Sequence, residues 1–474
     1  MKIEQIYTGC LAQGAYYIES GQEAAIIDPL REVDDYVRMS KERGTTIKYI
    51  FETHFHADFV SGHVELAKRT GAKIVYGPTQ VKTGFDAIIA EDGQVFNLGD
   101  IEIKLIHTPG HTMESSCYLL SDETGAKKAI FTGDTLFIGD VGRPDLAQHV
   151  NASLNQEKLA GHLFDSLQSK IMPLEDDLIV YPAHGAGSAC GKNLSSETWD
   201  TLGHQKKTNW AFRPGLDKKS FITELLQGLT MPPIYFPQNV LMNIGGGEEM
   251  NTVFDRGNKA LSVLEFELLL EEKNALILDT RRPEDFGREF IPGSINIGID
   301  GSFAVWVGTL VKDIRQNILF VADEGREEEV IIRLARVGYD HAMGYLKGGV
   351  RQWKSEGRPV DSIKTLSIDE FAEATSNDKD SVIIDVRKKS EFDSEHIVNA
   401  INIPLDYIND NMAMVPKDKQ AYVHCAGGYR SMIFASILRA RGYRNLVDVD
   451  GGFKNIKSSG RFAVTEYVCP TTML

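Results

Sequence analysis

Residues 53–59 read Thr-His-Phe-His-Ala-Asp-Phe, and this short stretch carries the strongest signal in the chain. Two imidazoles and a carboxylate fall within five positions, directly after an apolar run from Ile47 to Phe51 that is typical of a buried strand. Imidazole and carboxylate groups are common protein ligands of zinc, iron and manganese. The stretch therefore predicts a metal site at the end of a strand, and Phe59, which cannot bind a metal, limits the ligands available there.

Three later clusters place further candidate ligands directly after predicted strands. They are His107-Thr108-Pro109-Gly110-His111-Thr112, Thr132-Gly133-Asp134-Thr135 and Tyr181-Pro182-Ala183-His184-Gly185. Their glycines and prolines let the backbone turn sharply, so that a short histidine or aspartate side chain can reach inward. The predicted strands are Ala24–Ile27, Ile47–Phe51, Lys73–Tyr76, Ile103–Ile106, Ala129–Thr132 and Leu178–Tyr181. Strands that alternate with turns and helices predict an α/β fold for roughly the first half of the chain.

The second half of the chain contains an internal repeat. Residues 274–297 read NALILDTRRPEDFGREFIPGSINI, and residues 380–403 read DSVIIDVRKKSEFDSEHIVNAINI. Asp279 and Asp385 are 106 positions apart, and Lys347-Gly348-Gly349 matches Asp450-Gly451-Gly452. Strand and helix patterns alternate in each copy, so the repeat predicts two small α/β domains in tandem. We expect domain boundaries that divide the chain into residues 1–245, 250–362 and 363–474.

The second copy of the repeat carries a cysteine in a glycine-rich turn. Residues 421–431 read AYVHCAGGYRS, in which an apolar strand leads to Cys425 and a helical pattern follows from Met432. Gly427 and Gly428 let successive backbone N–H groups point at the sulfur, while Arg430 and the helix N-terminus add positive charge. These features favour a thiolate and so predict a nucleophilic cysteine. The first copy has no cysteine at this turn, which reads Val-Ala-Asp-Glu-Gly-Arg and continues into an acidic run.

In order and spacing, the motifs THFHAD, GHT, TGD and PAHG resemble those of the metallo-β-lactamase fold, an αββα sandwich. Hydrolases of that fold such as glyoxalase II carry a histidine where this chain has Phe59 and use it for a second metal, so the resemblance implies a mononuclear site. Mononuclear members with two histidines and one aspartate resemble persulfide dioxygenases. The ligands that this resemblance implies for one Fe(II) per chain are His54, His111 and Asp134. The supporting groups that it implies are His56, Asp58 and His184.

The repeat resembles the rhodanese domain, and the loop around Cys425 resembles its active-site loop. The flanking motifs Asp385-Val386-Arg387 and Gly451-Gly452-Phe453 fit that domain. The resemblance implies a persulfide on Cys425 as the covalent intermediate, assisted by Arg430 and cradled by Gly427 and Gly428. The chain as a whole is similar to a persulfide dioxygenase–rhodanese fusion in which the first rhodanese domain is degenerate because it lacks the cysteine.

The fusion implies that a small-thiol persulfide is oxidised by O2 to sulfite and free thiol, and that Cys425 forms or uses thiosulfate. In the persulfide dioxygenases a similar Gly-Arg segment contacts the thiol carrier, which matches Arg143 here, and an arginine binds carboxylates in a bidentate manner. Cys190 follows His184 in a glycine-rich loop and is either a sulfur relay or an inert buried cysteine. Two alternatives stay open: a glyoxalase II-like dinuclear thioester hydrolase fused to a sulfurtransferase, and a sulfurtransferase with a non-catalytic metal scaffold.

The bulk composition excludes several other classes of protein. A net charge of −16 and a pI near 5.3 argue against nucleic acid and anionic membranes as partners. The first residues, MKIEQIYTGC, do not resemble a secretory signal, and no apolar run is long enough for a membrane span. Five cysteines are too few, and odd in number, for a disulfide framework, so we expect a cytoplasmic protein. Relatives of this fold often dimerise, so a homo-oligomer is compatible with the resemblance.

Overall fold

The computed structural model describes residues 1–145, 155–192, 194–229 and 231–469. These residues form two units, of which the first is Met1–Met250 with Ala335–Gly338 and the second is Asn251–Leu334 with Tyr339–Leu474. The described residues contain four sheets, two in each unit. Among these residues, no helix is both long enough and apolar enough to cross a membrane.

Two six-stranded sheets form the centre of the first unit. Strands β1 to β6 lie at Lys2–Thr8, Gln13–Ser20, Glu23–Ile27, Thr46–Phe51, Lys73–Tyr76 and Ile88–Ile89. Strands β7 to β12 lie at Val95–Leu98, Ile101–His107, Ser116–Ser121, Lys127–Gly133, Ile179–Pro182 and Asp200–Thr201. Within each sheet the strands are neighbours in chain order, and side chains of both sheets, including Tyr16, Phe51 and Tyr118, form one core. Each of the six predicted strands coincides with one of these, within two residues at either end.

Helices cover the outer faces of the two sheets. Helices α1 to α6 lie at Asp34–Arg43, His63–Thr70, Gln156–Ser166, Leu202–Thr208, Lys218–Leu226 and Phe236–Gly245. Helix α7, at Met250–Gly257, belongs to the second unit except for its first residue. Helices α1 and α2 pack on the first sheet. Leu163 of α3 and Phe221 of α5 share a second core with Ile130 and Val180 of the second sheet. The layers are therefore helix, sheet, sheet and helix, which confirms the predicted αββα sandwich.

The second unit contains two five-stranded parallel sheets of the same topology. Strands β13 to β17 lie at Ala260–Leu261, Leu276–Asp279, Ile295–Asn296, Ile318–Val321 and Ala342–Leu346. Strands β18 to β22 lie at Lys364–Leu366, Val382–Asp385, Ile401–Asn402, Ala421–His424 and Leu446–Val449. The strand orders are β13-β17-β16-β14-β15 and β18-β22-β21-β19-β20. Because the second order repeats the first strand for strand, the predicted duplication of an α/β domain is confirmed.

The helices of the two copies also correspond. Helices α8 to α12 lie at Val263–Lys273, Pro283–Arg288, Phe303–Leu310, Glu327–Arg336 and Gly349–Ser355. Helices α13 to α17 lie at Ile368–Asn377, Lys389–Ser394, Ile408–Asn411, Tyr429–Ala440 and Gly452–Ser459. Ser262 and Ser367 begin the first helix of each copy with a capping box, in which serine and a glutamate three residues later satisfy each other's backbone N–H groups. Helix α16 begins at Tyr429, three residues before the predicted start.

Candidate metal centre and cysteine loop

The structure brings His54, His111 and Asp134 together, although they are far apart in the chain. His54 follows β4, His111 lies between β8 and β9, and Asp134 follows β10. The Nε2 atoms of His111 and His54 lie 3.4 Å and 4.0 Å from Oδ2 of Asp134, and all three side chains are buried. One ligand atom from each residue lies within 4.8 Å of the other two, which is close enough for all three to bind a single ion.

Hydrogen bonds fix both imidazoles with Nε2 directed at the aspartate. Nδ1 of His111 donates to the backbone carbonyl of Arg143 at 2.7 Å. The hydroxyl of Thr53 donates to Asp28 at 2.8 Å, so its oxygen accepts from Nδ1 of His54 at 3.0 Å. Because a neutral imidazole carries one proton, Nε2 of each ring then has a free lone pair. Burial, together with the neighbouring imidazoles, holds the pKa of His54 well below its usual value, which favours the neutral ring.

The surroundings of Asp134 fit a bound cation. Neither carboxylate oxygen has a hydrogen-bond partner among the described residues, although both are buried. A buried carboxylate without partners is costly, and a metal ion would offset that cost. Gly133, with φ of 52°, lets β10 pass close to Thr53, where a Cβ would lie 2.6 Å from the threonine side chain. Two imidazoles and a carboxylate leave further positions open on the ion, as in non-haem Fe(II) oxygenases.

His56 belongs to a different buried group, although it is only two residues from His54. Its Nε2 lies 3.0 Å from Oδ1 of Asp28 and 3.5 Å from Oε2 of Glu52. Burial alone would lower the pKa of His56, but Asp28 and Glu52 raise it to about 9. Burial raises the pKa of Glu52 to about 8. The second histidine of the motif is therefore held by two carboxylates outside the group of His54, His111 and Asp134.

A third buried group lies on the other side of Asp134 and consists of Asp58, His184 and Cys190. Nε2 of His184 lies 3.3 Å from Asp58 and 3.5 Å from Oδ1 of Asp134. Burial, reinforced by the charges of Asp58 and Asp134, raises the pKa of the Cys190 thiol well above its usual value. Asp134 thus directs one oxygen at each group. Phe59 lies against His56 instead, with ring centroids 4.4 Å apart, and adds no ligand.

Cys425 lies directly after β21 in a turn that places a backbone donor on its sulfur. The N–H of Gly428 points at Sγ with a separation of 3.1 Å, and Gly428 has φ of 102°. A Cβ at Gly427 would meet no atom within 4 Å, so the turn is open on that side. Arg430, in the first turn of α16, forms a bidentate ion pair with Glu391 at 2.6 and 2.9 Å. The predicted residues therefore lie in one loop, with the arginine held by a carboxylate.

The same turn of the first copy is rich in acidic and basic side chains. It joins β16 to α11, and the first turn of α11 contains Glu327, Glu328 and Glu329. Arg326 pairs with Asp300 at 2.6 Å and with Glu329 at 2.8 Å. The turn has neither a nucleophile nor a cation without an acidic partner.

Comparison with known families agrees with this architecture. The family model of the Metallo-beta-lactamase superfamily matches residues 8–184, and that of the Rhodanese-like domain matches residues 262–356 and 367–459. A solved structure described as a metallo-beta-lactamase from Staphylococcus aureus subsp. aureus COL is 33% identical, with a TM-score of 0.64 over 73% of this chain and 98% of that chain. This chain belongs to the metallo-beta-lactamase superfamily. Its second half consists of two rhodanese-like domains.

Curated relatives of the metallo-beta-lactamase domain are named as hydrolases. The hydroxyacylglutathione hydrolase GloC of Haemophilus influenzae is 26% identical over 46% of this chain and its own full length. The chain spans only 50 to 61% of the next three hydroxyacylglutathione hydrolases that it matches. A solved structure described as ETHE1 from Myxococcus xanthus is 27% identical over 52% of this chain and 96% of that chain, with a TM-score of 0.42.

Arg143 of the metallo-beta-lactamase domain, predicted to bind the thiol carrier, is buried against the metal centre. Its Nε and Nη2 atoms each donate to Asp145 at 2.6 Å, and Nη1 donates to the carbonyl of Ala189 at 3.2 Å. Its own carbonyl holds His111. In this structure Arg143 therefore orients a predicted metal ligand, and its guanidinium is engaged by Asp145.

Asp28, Glu52 and Thr53 are the residues of the site that sequence reasoning missed. Asp28 follows β3 and Glu52 follows β4, and these two strands pair in parallel, so both carboxylates lie at the same edge of the sheet. The available signal was an acidic residue directly after each of two apolar runs. Recognising these two carboxylates as one group required knowing that β3 and β4 are neighbouring strands in the sheet.

Proposed function

We propose that this chain is a persulfide dioxygenase joined to a sulfurtransferase. The first reaction converts R–S–SH, O2 and water into R–SH, sulfite and two protons, so that the terminal sulfur loses four electrons to O2. In the second reaction, Cys425 thiolate takes the terminal sulfur of a persulfide and releases R–SH. Sulfite then takes that sulfur from the Cys425 persulfide, which yields thiosulfate and restores the thiolate.

The observation that carries the first half of this proposal is the separation of His56 from the group of His54, His111 and Asp134. The hydrolases of this fold that the sequence resembles use a histidine for a second metal at the position where this chain has Phe59. With His56 turned toward Asp28, the nearest set is two imidazoles and one carboxylate. That set suits Fe(II), which when bound supplies O2 activation and leaves positions open for a sulfur ligand.

The chain's own side chains prepare this site. Thr53 and Asp28 hold His54, and the carbonyl of Arg143 holds His111, so neither imidazole has to reorient when it binds the ion. The side chains of His54, His111 and Asp134 are buried, so a sulfur bound beside them would be shielded from bulk water. A role for Arg143 in binding the carrier stays a prediction, and it requires the guanidinium to exchange Asp145 for a carboxylate of the substrate.

Oxygen consumption with a panel of persulfides tests the dioxygenase. We expect the iron-loaded protein to consume O2 with at least one persulfide of glutathione, coenzyme A or bacillithiol, and to release sulfite. His111→Ala removes a predicted ligand and should lower both bound iron and O2 consumption about 100-fold. His107→Ala is a matched control, because His107 lies outside the three buried groups and bonds the carbonyl of Met113. No O2 consumption by iron-loaded wild type would exclude the proposal.

A dinuclear thioester hydrolase is the second candidate, favoured by the group of Asp58, His184 and Cys190 beside Asp134. That group would hold a second ion, and Asp134 would bridge the two. The relatives named as hydroxyacylglutathione hydrolases support the same activity. Metal content separates the candidates: one iron per chain supports the dioxygenase. Two zinc ions per chain together with thioester hydrolysis would favour the hydrolase.

We also propose that the protein works in the cytoplasm with its cysteines reduced. The sulfur-transfer step requires Cys425 as a thiol, and Cys425 is not part of a disulfide in the structure. The domain boundaries at 1–245, 250–362 and 363–474 stay part of this proposal, with one chemical step assigned to the first and one to the third.

A further inference from the structure

Helix α16, which begins in the cysteine loop, is buried around its whole circumference. Every residue from Ser431 to Leu438 is buried. A helix that is buried on all sides has packing partners on opposite faces. On one face α16 packs against its own sheet at β21 and β22, and on the other it packs against β15 and α9 of the cysteine-less copy.

Three specific contacts join α16 to the cysteine-less copy. The backbone N–H of Asn296 donates to the hydroxyl of Ser436 at 2.9 Å. The phenol of Tyr429 donates to the carbonyl of Gly298 at 2.6 Å. Gly301 lies directly under the same ring, since a Cβ there would lie 2.4 Å from Cζ of Tyr429. The first turn of the helix is therefore seated in a socket formed by residues 298–301.

Among the described residues, the contact between α16 and the edge strand β15 has no counterpart at the edge strand of the cysteine copy. In the cysteine-less copy the edge strand β15 is buried. In the cysteine copy the equivalent strand, β20, is partly open, with Ile401 39% exposed. The two copies are therefore joined asymmetrically, with the edge of the first covered by the active-site helix of the second.

We propose that the cysteine-less copy positions the sulfur-carrying loop, and that Tyr429 is the positioning residue through which it acts. Tyr429 stands between Gly428, whose N–H points at the Cys425 sulfur, and Arg430. Anchoring the phenol fixes the backbone of both neighbours. Tyr429 is not a catalytic residue in this proposal, because its hydroxyl donates its hydrogen bond to the carbonyl of Gly298.

The electrostatic surroundings keep the Tyr429 hydroxyl a donor. Burial raises the pKa of Tyr429 far above its usual value, with Arg333 opposing the shift and Asp300 adding to it. The phenol therefore stays protonated at any pH at which the enzyme works, and its hydrogen bond to Gly298 persists.

Tyr429→Phe tests the anchor, with Tyr443→Phe as its matched control. Tyr443 lies in the same copy and also donates to a backbone carbonyl, that of Met412 at 3.1 Å, within its own domain. We expect Tyr429→Phe to lower kcat for thiosulfate formation about tenfold with little change in KM, and to speed amide hydrogen exchange of residues 426–430 about tenfold. Tyr443→Phe should change each by less than about twofold. Equal effects of the two variants would overturn the proposal.

A coupling experiment tests the socket independently. Gly301→Ala forces a methyl group against the Tyr429 ring, so it should lower kcat and speed exchange of the loop. In a Tyr429→Ala background the methyl group has space, and Gly301→Ala should then have no further effect. Additive effects of the two substitutions would overturn the proposal. The kcat readout rests on the proposed sulfur transfer. The hydrogen-exchange readout does not depend on sulfur transfer. If the wild-type protein has no transfer activity, the proposed function is refuted, and hydrogen exchange still tests whether Tyr429 positions the loop.

Discussion

The two rhodanese-like copies share a scaffold and differ at the turn that contains Cys425 in the second copy. In both, a buried aspartate at the end of a central strand pairs with the arginine two residues later. Asp279 meets Arg281 and Asp385 meets Arg387, each with an Nη2–Oδ2 distance of 2.6 Å. The motif that sequence comparison associates with the active domain is thus present, with the same geometry, in the copy without a cysteine. The shared geometry predicts a structural role for this pair in both copies.

An asparagine also makes equivalent hydrogen bonds in the two copies. Asn296 donates to the carbonyls of Asp279 and Arg281, and Asn402 donates to the equivalent carbonyls of the second copy. The copies differ after the next strand, where the second has a sulfur and a glycine N–H and the first has paired charges. The scaffold of the first copy is therefore intact although its turn has no cysteine, and its edge strand is a packing partner of α16.

Replacing the nucleophile gives the largest expected effect. Cys425→Ser should lower sulfur transfer by about 1000-fold or more, because serine lacks a nucleophile of comparable strength. Oxygen consumption by the metal centre should change by less than about twofold, since the substitution leaves that domain untouched. A steady-state assay of thiosulfate formation, run beside an oxygen electrode, measures both.

The matched change in the first copy is Asp323→Asn at the equivalent turn. Sulfur transfer should stay within about twofold of wild type, because no atom of that turn enters the reaction. Retention of transfer in Cys425→Ser, or its loss in Asp323→Asn, would show that the contrast between the copies is wrong.

Sequence motifs predicted the strands and indicated candidate site residues that the fold brings together, because both depend on local signals. His54, His111 and Asp134 each follow an apolar strand, and Cys425 lies in a glycine-rich turn between a strand and a helix. Partners that depend on which strands become neighbours were not predictable in this way. Asp28 reaches His56 only because β3 and β4 pair in parallel.

Two further outcomes depend on tertiary structure. Asp145 is only two residues from Arg143 in the sequence and forms an ion pair with it. The burial that shields this pair from solvent, however, comes from tertiary packing. Tyr429 in the sequence is an unremarkable aromatic residue, and its contact with Gly298, 131 positions earlier, is a property of how two copies pack. Local sequence therefore identified the candidate reacting groups, and tertiary packing determined which groups orient them.

A matched pair of substitutions tests whether the Asp–Arg pair is only scaffold. Asp279→Asn and Asp385→Asn each leave a buried arginine without its charge partner, which should cost about 3 to 5 kcal/mol of the stability of that copy. Because the chain has several domains, hydrogen exchange of each central strand in a urea series is the suitable measurement. Equal losses would sharpen the comparison. A far larger loss in the second copy would mean that its pair has taken on an additional role.

The smallest expected effect is a pH dependence in the stability of β22 of the second copy. Asp448, in β22, is buried, and its Oδ1 has no hydrogen-bond partner among the described residues. Burial, opposed by a hydrogen bond with Ser431, raises the pKa of Asp448 from 3.8 to about 7. The equivalent position in the first copy is Tyr345, which carries no charge in this pH range. At this position, therefore, only the second copy has a buried carboxyl whose protonation can affect the stability of the strand.

The direction of this pH dependence follows from proton binding, because the folded state binds the Asp448 proton more tightly than the unfolded chain does. The stability associated with this proton is complete below pH 3.8 and is lost as the pH rises toward about 7. Between pH 6 and 7 the loss should be about 1 kcal/mol. Hydrogen exchange of β22 should show it, exchange of β17 should not, and Asp448→Asn should abolish it. A pH dependence of equal size in β17, or one that survives Asp448→Asn, would assign it to groups that both copies share.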